Sequence, residues 1–410
     1  MAVAAVRSEL ATGVRPTRAL PRVQSVDLLR GAVMVIMALD HTRDFFHFDA
    51  QHFSPEDLAR TSVVLFFTRW ITHFCAPVFV FLAGTGSFLA TRRGMSRPAV
   101  SRFLWTRGLW LLVVEMTFVR FGATFNLSYR FVVWQVIWAI GWSMIALSVL
   151  IFLRWRALAV FSVATIAAHN LFDGIRAGDL GSAGWLWQIL HDFPSLIDFP
   201  GGRFAIVAYP LVPWIGVMSA GYCFGRVFDL GADTRRRLLL RLGLGLTAAF
   251  LVLRAVNGYG DPSPWSPQPS PAFTVLSFLR VSKYPPSLMF LLVTLGPAFA
   301  ALGLLERARA GDGNPLLVFG RVPLFFYVVH WYAIHLVAIG LAWLRYGRTD
   351  FMFEVPPSLL PPPTSYPADY GYDLWFVYVV WAAIVAGLYP LCRWYAGVKA
   401  RNKSVWLSYV

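Results

Sequence analysis

The sequence predicts an all-α, polytopic integral membrane protein with about ten transmembrane helices and both termini in the cytoplasm. Of the 410 residues, 57% are hydrophobic and only 14% are charged, whereas a soluble domain carries about 25% charged residues. Apolar stretches of about twenty residues, long enough to cross a bilayer, recur from end to end. Lys and Arg gather in alternate loops, and most acidic residues fall in the others, as the positive-inside rule requires.

Hydropathy also sets the organisation of the chain. Residues 1–22 are predicted to be a disordered basic cytoplasmic tail, residues 23–400 a transmembrane domain, and residues 401–410 a cytoplasmic C-terminal tail. Every odd-numbered span then runs outward. The predicted spans are 26–46, 64–90, 103–124, 131–152, 156–172, 204–227, 238–255, 287–305, 316–344 and 374–395.

Composition excludes several classes of function. The net charge of +15 lies in the loops that orient the spans, so we expect no nucleic-acid partner. Cys75, Cys223 and Cys392 are far apart, and neither a CxxC pair nor a Cys/His metal spacing occurs. We therefore expect buried thiols and no metal. There is no P-loop and no GxGxxG, so nucleotide hydrolysis has no support.

The first span ends in a cluster of charged residues. An apolar run from Ala32 to Leu39 follows Arg30 and precedes the sequence DHTRD (40–44). Asp40, Arg43 and Asp44 fall at positions i, i+3 and i+4, so a helix places them on one face with His41 adjacent. Charged residues where a helix leaves the bilayer form either an interfacial anchor or a functional site.

Further ionisable residues lie inside the predicted spans. Glu115 is near the middle of the third span, where an unpaired carboxylate is costly. Arg69 and His73 share a face near the outward end of the second span, at the depth of Asp40 and His41. We predict that these five residues converge in the outward third of the membrane and line one cavity, with the cations as partners of Glu115.

Two histidines in the ninth span, His330 and His335, are weaker candidates for a functional site. A lone histidine inside a span is more often a hydrogen-bonded core residue than a catalyst, and both interpretations stay open. In the second span, Pro77 predicts a kink.

Several stretches resemble one family. Residues 22–48 are similar to the opening of the heparan-α-glucosaminide N-acetyltransferase catalytic domain family, which includes bacterial YeiB-type proteins within the transmembrane acyltransferases. The pair Arg30 and His41 also resembles the Arg-x10-His pattern of the integral-membrane acyltransferase family three. The similarity continues through residues 66–86, 283–302, 319–336 and 389–401.

The resemblance implies transfer of an acyl group, commonly acetyl from acetyl-CoA, onto a sugar at the membrane. By motif, Arg30 and His41 match the Arg-x10-His pair. In the heparan-type enzymes the important histidine lies in the first outer loop, and that position falls near His52, with His47 also close. Whether His41 or His52 is the base therefore stays open.

Acyl transfer from a thioester needs a base for the acceptor proton and donors that stabilise the oxyanion. His41 suits the first task, with Asp40, Asp44 or Glu115 to orient it, and Arg69 or Arg43 suits the second. The catalytic candidates are His41, Asp40, Arg30, Glu115, Arg69, His73, Asp44 and His52.

A basic stretch after the second span provides candidates for binding the acyl-CoA co-substrate. Arg97, Arg102 and Arg107 are guanidinium groups on the cytoplasmic side, and guanidinium binds phosphate in a bidentate manner. The same charges also serve as a topology signal.

Two classes of function compete. The first is a membrane-bound acyltransferase acting on a saccharide or other small-molecule envelope acceptor in the bacterial cytoplasmic membrane. The second is a multi-pass transporter or channel that uses the intramembrane Glu and His residues as a path. The lipid bilayer is a partner in both, and a homodimer stays open.

Overall fold

The computed structural model describes residues 23–92, 94–354, 365–402, 404 and 407. The predicted disordered tail, residues 1–22, lies outside the described residues, as does most of the predicted C-terminal tail. The described chain is mostly helical and carries one small sheet.

Fifteen α-helices are described, numbered here in chain order. They are α1 (Gln24–Phe46), α2 (Val63–Trp70), α3 (Cys75–Arg92), α4 (Arg97–Val114), α5 (Arg120–Thr124), α6 (Val136–Leu150), α7 (Trp155–Ala168), α8 (Gly184–Leu190), α9 (Leu211–Phe224), α10 (Ala232–Val256), α11 (Pro271–Leu279), α12 (Leu288–Leu305), α13 (Pro315–Arg321), α14 (Pro323–Tyr346) and α15 (Leu374–Arg401).

A helix occupies each of the ten predicted span positions, but fewer of them meet the requirements for crossing a membrane. Within the described residues, six helical runs are long and apolar enough, and a seventh is added if a pair bent by 110° counts as one span. The bent pair joins Trp155–Phe172 to Ala177–Leu190. The six runs are Val63–Arg92, Leu211–Asp229, Ala232–Val256, Leu288–Leu305, Pro323–Tyr346 and Leu374–Arg401.

The all-α prediction is wrong in one region. Strands β1 (Phe131–Trp134), β2 (Ser195–Phe199) and β3 (Arg203–Val207) form a sheet in the order β1-β3-β2. β1 pairs with β3 in parallel, and β2 pairs with β3 antiparallel. The predicted spans 131–152 and 204–227 therefore begin as strands, because short runs of β-branched and aromatic residues fit either structure by hydropathy.

Three of the predicted spans are interrupted. A 3-10 turn, Ile71–Phe74, separates α2 from α3 immediately before the predicted kink residue Pro77. A π-helical turn, Glu115–Val119, connects α4 to α5. The predicted span 316–344 is two helices, because Val322 leaves helical geometry at φ −129° and Pro323 starts α14.

Helix α1 lies among the other helices, packed against α3 and α12 to α15, and most of its residues are buried. It crosses α13 with the backbones in contact. A Cβ atom on Gly31 would lie 1.8 Å from the carbonyl oxygen of Leu316, and one on Gly320 would lie 1.8 Å from that of Asp27. Only glycine fits at both points, so the crossing fixes the depth of α1 relative to α13.

Candidate active site

The charged end of α1 pairs with the start of the second helical run. Asp40 Oδ2 accepts a hydrogen bond of 2.5 Å from Nη1 of Arg69. Its other oxygen, Oδ1, lies 2.9 Å from Nη1 of Arg43, and Nη2 of Arg43 donates to Asp44 Oδ1 at 2.5 Å. Each carboxylate therefore has a cation, as buried ion pairs require. Asp40 and Arg69, which were predicted to lie at the same depth, are in direct contact.

His73 pairs with a residue from the preceding outer loop. Its Nε2 lies 3.1 Å from Oε1 of Glu56, and the imidazole is fully buried. Burial alone would raise the pKa of Glu56, but the neighbouring His73 and Arg69 lower that pKa to about 2. Glu56 was not a candidate from the sequence. It adds to the cluster a carboxylate that stays charged at neutral pH.

Lys283 and Tyr284 complete this cluster from a loop before α12. Lys283 is buried and lies close enough to Asp40 and Glu56 to interact with both electrostatically. Burial would raise the pKa of Tyr284, but Lys283 and Arg69 lower it below its ordinary value. The cluster thus contains three acidic side chains, Asp40, Asp44 and Glu56, and three basic ones, Arg43, Arg69 and Lys283. Residues 283–287 (KYPPS) were part of the family resemblance, but Lys283 and Tyr284 were not predicted to be site residues.

His41 lies on the adjacent face of α1 and contacts α14. Its Nδ1 is 2.7 Å from Nε2 of His330, and its ring stacks on Trp331 with ring centroids 4.0 Å apart. Nδ1 of His330 contacts the backbone carbonyl oxygen of Tyr327. A carbonyl only accepts, so Nδ1 of His330 carries the proton and its Nε2 is an acceptor. His41 then donates through Nδ1, which leaves its Nε2 unprotonated and basic by inference.

Glu115 does not join the cations, so its predicted partnership with them is wrong. The carboxylate is buried and faces the backbone N–H groups of Gln135 and Trp138. These groups open α6, which has no side-chain cap of its own. A carboxylate at a helix N-terminus satisfies orphan N–H donors and the helix dipole. A cation was predicted as the partner of Glu115, but its partner is the N-terminal end of α6, whose position hydropathy does not give.

A cavity of about 400 Å³ runs between the helices on the other side of His41. Its walls are mostly apolar, and Tyr327 lies at the end nearest His41, with the two rings 6.5 Å apart. None of Asp40, His41, Glu115, Arg69 and His73, the five residues predicted to line one cavity, lines this one. The charged residues that line it are Asp27, Arg30, Arg107, Arg321 and Lys399.

Arg30 therefore belongs to the cavity and not to the His41 cluster. Its Nη1 donates to the carbonyl oxygen of Gly320 at 3.0 Å and pairs with Asp27 at 3.3 Å. Among the basic candidates after the second run, Arg107 lines the cavity, whereas Arg97 and Arg102 are exposed and do not. Five residues separate Arg102 from Arg107, so a helix turns them about 140° apart.

The remaining histidines are separated from His41. His52 is exposed, and its ring stacks on Phe48, with centroids 4.4 Å apart. His47 is buried and accepts a hydrogen bond from the backbone N–H of Ala50. His335 contacts the carbonyl oxygens of Gly122 and Met352 through its two nitrogens, as a structural core histidine does.

The chain matches a known protein family. The family described as heparan-alpha-glucosaminide N-acetyltransferase, catalytic, matches residues 22–253, which is 232 of 410 residues. No curated protein matches the chain at a significant level. The match includes α1, Arg69, His73 and Glu115, but not α14. With its long apolar helices, the protein is an integral membrane protein, and it belongs to the heparan-alpha-glucosaminide N-acetyltransferase catalytic domain family.

Proposed function

We propose that the protein is a membrane-bound acyltransferase that moves an acyl group, most simply acetyl, from acyl-CoA to a saccharide or another envelope acceptor. The observation that carries this proposal is the cavity, partly lined by basic residues, that ends at Tyr327 beside the hydrogen-bonded pair His41 and His330. Family membership supports the reaction class, although fold alone does not fix a substrate.

The cavity suits the two chemically different parts of an acyl-CoA. Its basic residues Arg30, Arg107, Arg321 and Lys399 come from four helices and line the same cavity. Guanidinium and ammonium groups bind phosphates there. The apolar walls suit a pantetheine chain, and about 400 Å³ is within the usual range for small-molecule sites. In this arrangement the thioester lies toward Tyr327.

His41 acts as the general base in this proposal. Its unprotonated Nε2 takes the proton of the acceptor hydroxyl or amine as the acceptor attacks the thioester carbonyl. The resulting imidazolium is held by His330, whose Nε2 accepts from Nδ1 of His41 at 2.7 Å. The thioester C–S bond then breaks, and the imidazolium returns the proton to the sulfur of the leaving CoA, so the products are the acylated acceptor and CoA with a free thiol. Asp40 is the next residue on α1, and its pairing with Arg69 fixes the end of the helix that carries the base. Asp40 and Arg69 are therefore positioning residues.

The orientation follows from the same charges. The basic residues of the cavity correspond to the predicted cytoplasmic side, where acyl-CoA is made available, and both termini lie on that side of the bacterial cytoplasmic membrane. The cluster of Glu56, His73 and Lys283 then faces outward. Acceptor and donor would approach His41 from opposite sides.

The donor site is tested with the matched pair Arg107→Gln and Arg102→Gln, which neutralise a cavity-lining and an exposed arginine on one helix. Loss of a charge-assisted contact to phosphate should weaken CoA binding about tenfold to hundredfold for Arg107→Gln. CoA affinity of Arg102→Gln should stay within about twofold of wild type. Isothermal titration of the detergent-solubilised protein measures both. Equal effects from the two variants would refute the cavity as the donor site.

The base is tested in proteoliposomes with labelled acetyl-CoA and a panel of amino sugars and neutral saccharides. His41→Gln should lower acyl transfer by at least about 100-fold, the usual contribution of a general base. His330→Gln should lower it less, and His52→Gln should match wild type. Full activity in His41→Gln, or its loss in His52→Gln, would transfer the role of base to His52.

The transporter alternative is favoured by one feature, the helix pair bent by 110°. Broken helices surround substrate paths in many transporters. The same proteoliposomes separate the two functions, because a transporter moves solute without consuming acetyl-CoA.

A further inference from the structure

The bent helix pair brings three metal-binding side chains together. His169 begins the 3-10 turn that ends α7, and Asp173 is the residue that caps the end of this turn. His191 comes directly after α8. The two histidines are therefore supplied by the two arms of the bend, and Asp173 lies between them in sequence.

The three side chains converge tightly. One ligand atom from each residue lies within 4.8 Å of the other two. Nε2 of His191 is 3.1 Å from Oδ1 of Asp173, and the rings of His169 and His191 have centroids 5.6 Å apart. A tetrahedral zinc ion with bonds near 2.0–2.1 Å needs its ligand atoms about 3.3 Å apart. Small side-chain rotations would close the remaining difference.

Hydrogen bonding leaves these imidazoles incomplete. His169 is 1% exposed and His191 is 2% exposed. Within the part of the chain that the structure describes, neither nitrogen of His169 has a hydrogen-bond partner, and neither does Nδ1 of His191. Buried polar atoms normally have partners, so a ring with two empty positions aimed at a carboxylate needs an explanation.

A supporting residue already orients the carboxylate. Nδ2 of Asn170 donates to Oδ2 of Asp173 at 2.8 Å, which leaves Oδ1 directed at His191. Oδ1 of Asn170 accepts from the backbone N–H of Leu288, at the start of α12. Hydrogen bonds of this kind to a ligating carboxylate are typical of metal sites.

We propose that His169, Asp173 and His191 form a site for a divalent transition metal, best fitted by Zn²⁺. Two imidazoles and a carboxylate suit zinc, whereas Mg²⁺ and Ca²⁺ prefer oxygen ligands. Water completes the coordination. The ion joins the two arms of the bend and connects them through Asn170 to α12. This site is separate from the His41 pair and does not depend on the proposed acyl transfer.

Cysteine spacing could not reveal this site, since no cysteine takes part. The expectation of no metal rested on that spacing. Two histidines 22 residues apart meet only because the chain bends by 110° between them. The HNLFD stretch (169–173), with its His and Asp four residues apart, was the available indication.

The test uses the full-length protein in detergent, stripped with EDTA and titrated with Zn²⁺. The wild type should bind about one zinc ion per chain, measured by mass spectrometry of the metal content, and its Tm should rise with Zn²⁺ and fall again with EDTA. X-ray absorption at the zinc edge should show nitrogen and oxygen ligands and no sulfur.

Two variants of the metal-binding residues replace a side chain by one of similar size, so that a loss of zinc binding is not caused by misfolding. Asp173→Asn and His169→Gln should each weaken zinc binding by at least about 100-fold. Their matched controls are Asp198→Asn and His52→Gln, which change exposed residues outside the cluster and should bind zinc as the wild type does. A wild type without stoichiometric zinc, or equal zinc retention in Asp173→Asn and Asp198→Asn, would overturn the proposal.

Discussion

The crossing of α1 and α13 offers a sharp test of the architecture, through the substitution Gly31→Ala. The new Cβ would lie 1.8 Å from the oxygen, 2.6 Å from the carbon and 2.9 Å from the Cα of Leu316. All three are backbone atoms, so no side-chain rotation relieves the clash. An ordinary contact begins at 3.4 Å, and the helices would have to separate by roughly 1.6 Å (3.4 − 1.8).

Separation of that size unpacks a buried surface, and overpacking of this kind costs roughly 1–3 kcal/mol. We expect Gly31→Ala to lower the Tm in detergent by a few degrees. It should also weaken CoA binding, because Arg30 is the preceding residue and bonds to Gly320 across the same crossing. Differential scanning fluorimetry measures the Tm, and titration with CoA measures the second effect.

The matched control is Gly340→Ala, at a helical glycine in α14 with nothing within 4 Å of the added Cβ. Alanine has the higher helix propensity by about 1 kcal/mol, so this variant should melt at or above the wild-type temperature. Gly320→Ala, with its Cβ 1.8 Å from the oxygen of Asp27, should reproduce Gly31→Ala. If Gly31→Ala melts and binds CoA like Gly340→Ala, the close crossing does not exist.

Three further predictions follow from the charges. Removing one partner of the buried Asp40–Arg69 pair, by Asp40→Asn or Arg69→Met, should destabilise the protein by about 3–5 kcal/mol. The double variant should recover part of that loss in a double-mutant cycle. If the two effects are strictly additive, the two side chains do not interact. The low pKa of Glu56 stabilises the folded state above its ordinary value of 4.5, and that contribution disappears as the pH falls toward about 2. Glu56→Gln should therefore cost at most about 3 kcal/mol at pH 7, with the difference from wild type vanishing across that window in pH-dependent melting; a difference that persists at pH 2 would contradict this. Cysteines introduced by Ser182→Cys and Ser266→Cys should be labelled from outside only, with little background because the three native cysteines are buried; labelling from the cytoplasm would reverse the topology.

Hydropathy located the helices well because each one is a local property of about twenty residues. It failed where long-range strand pairing or local backbone geometry determines the structure. The runs FVVW and RFAIV are apolar enough to extend a span, but they pair with each other across seventy residues as β1 and β3. The break at Val322 depends on backbone geometry next to Pro323, which a hydropathy average smooths over.

The contacts of the site were likewise predicted only in part. Asp40 and Arg69 were placed together by counting residues from the ends of two neighbouring helices, and they are in contact. His330 and Lys283 could not be assigned, because their partners lie more than two hundred residues away and no periodicity records such a contact. Charge alone does not distinguish the three candidate arginines after the second run. Their positions around the helix do, because only Arg107 of the three lines the cavity.

The long separation of these contacts has a consequence for how the chain is made. Helix α1, which carries Asp40 and Arg43, is the first described helix to be synthesised, yet α13 and α14, which pack against it, follow almost three hundred residues later. During synthesis α2 and α3 are the first described α-helices that can pack against α1, and the crossing at Gly31 cannot form until most of the protein has been synthesised. Biogenesis therefore includes a prolonged stage in which an insertase or chaperone would find α1 uncovered.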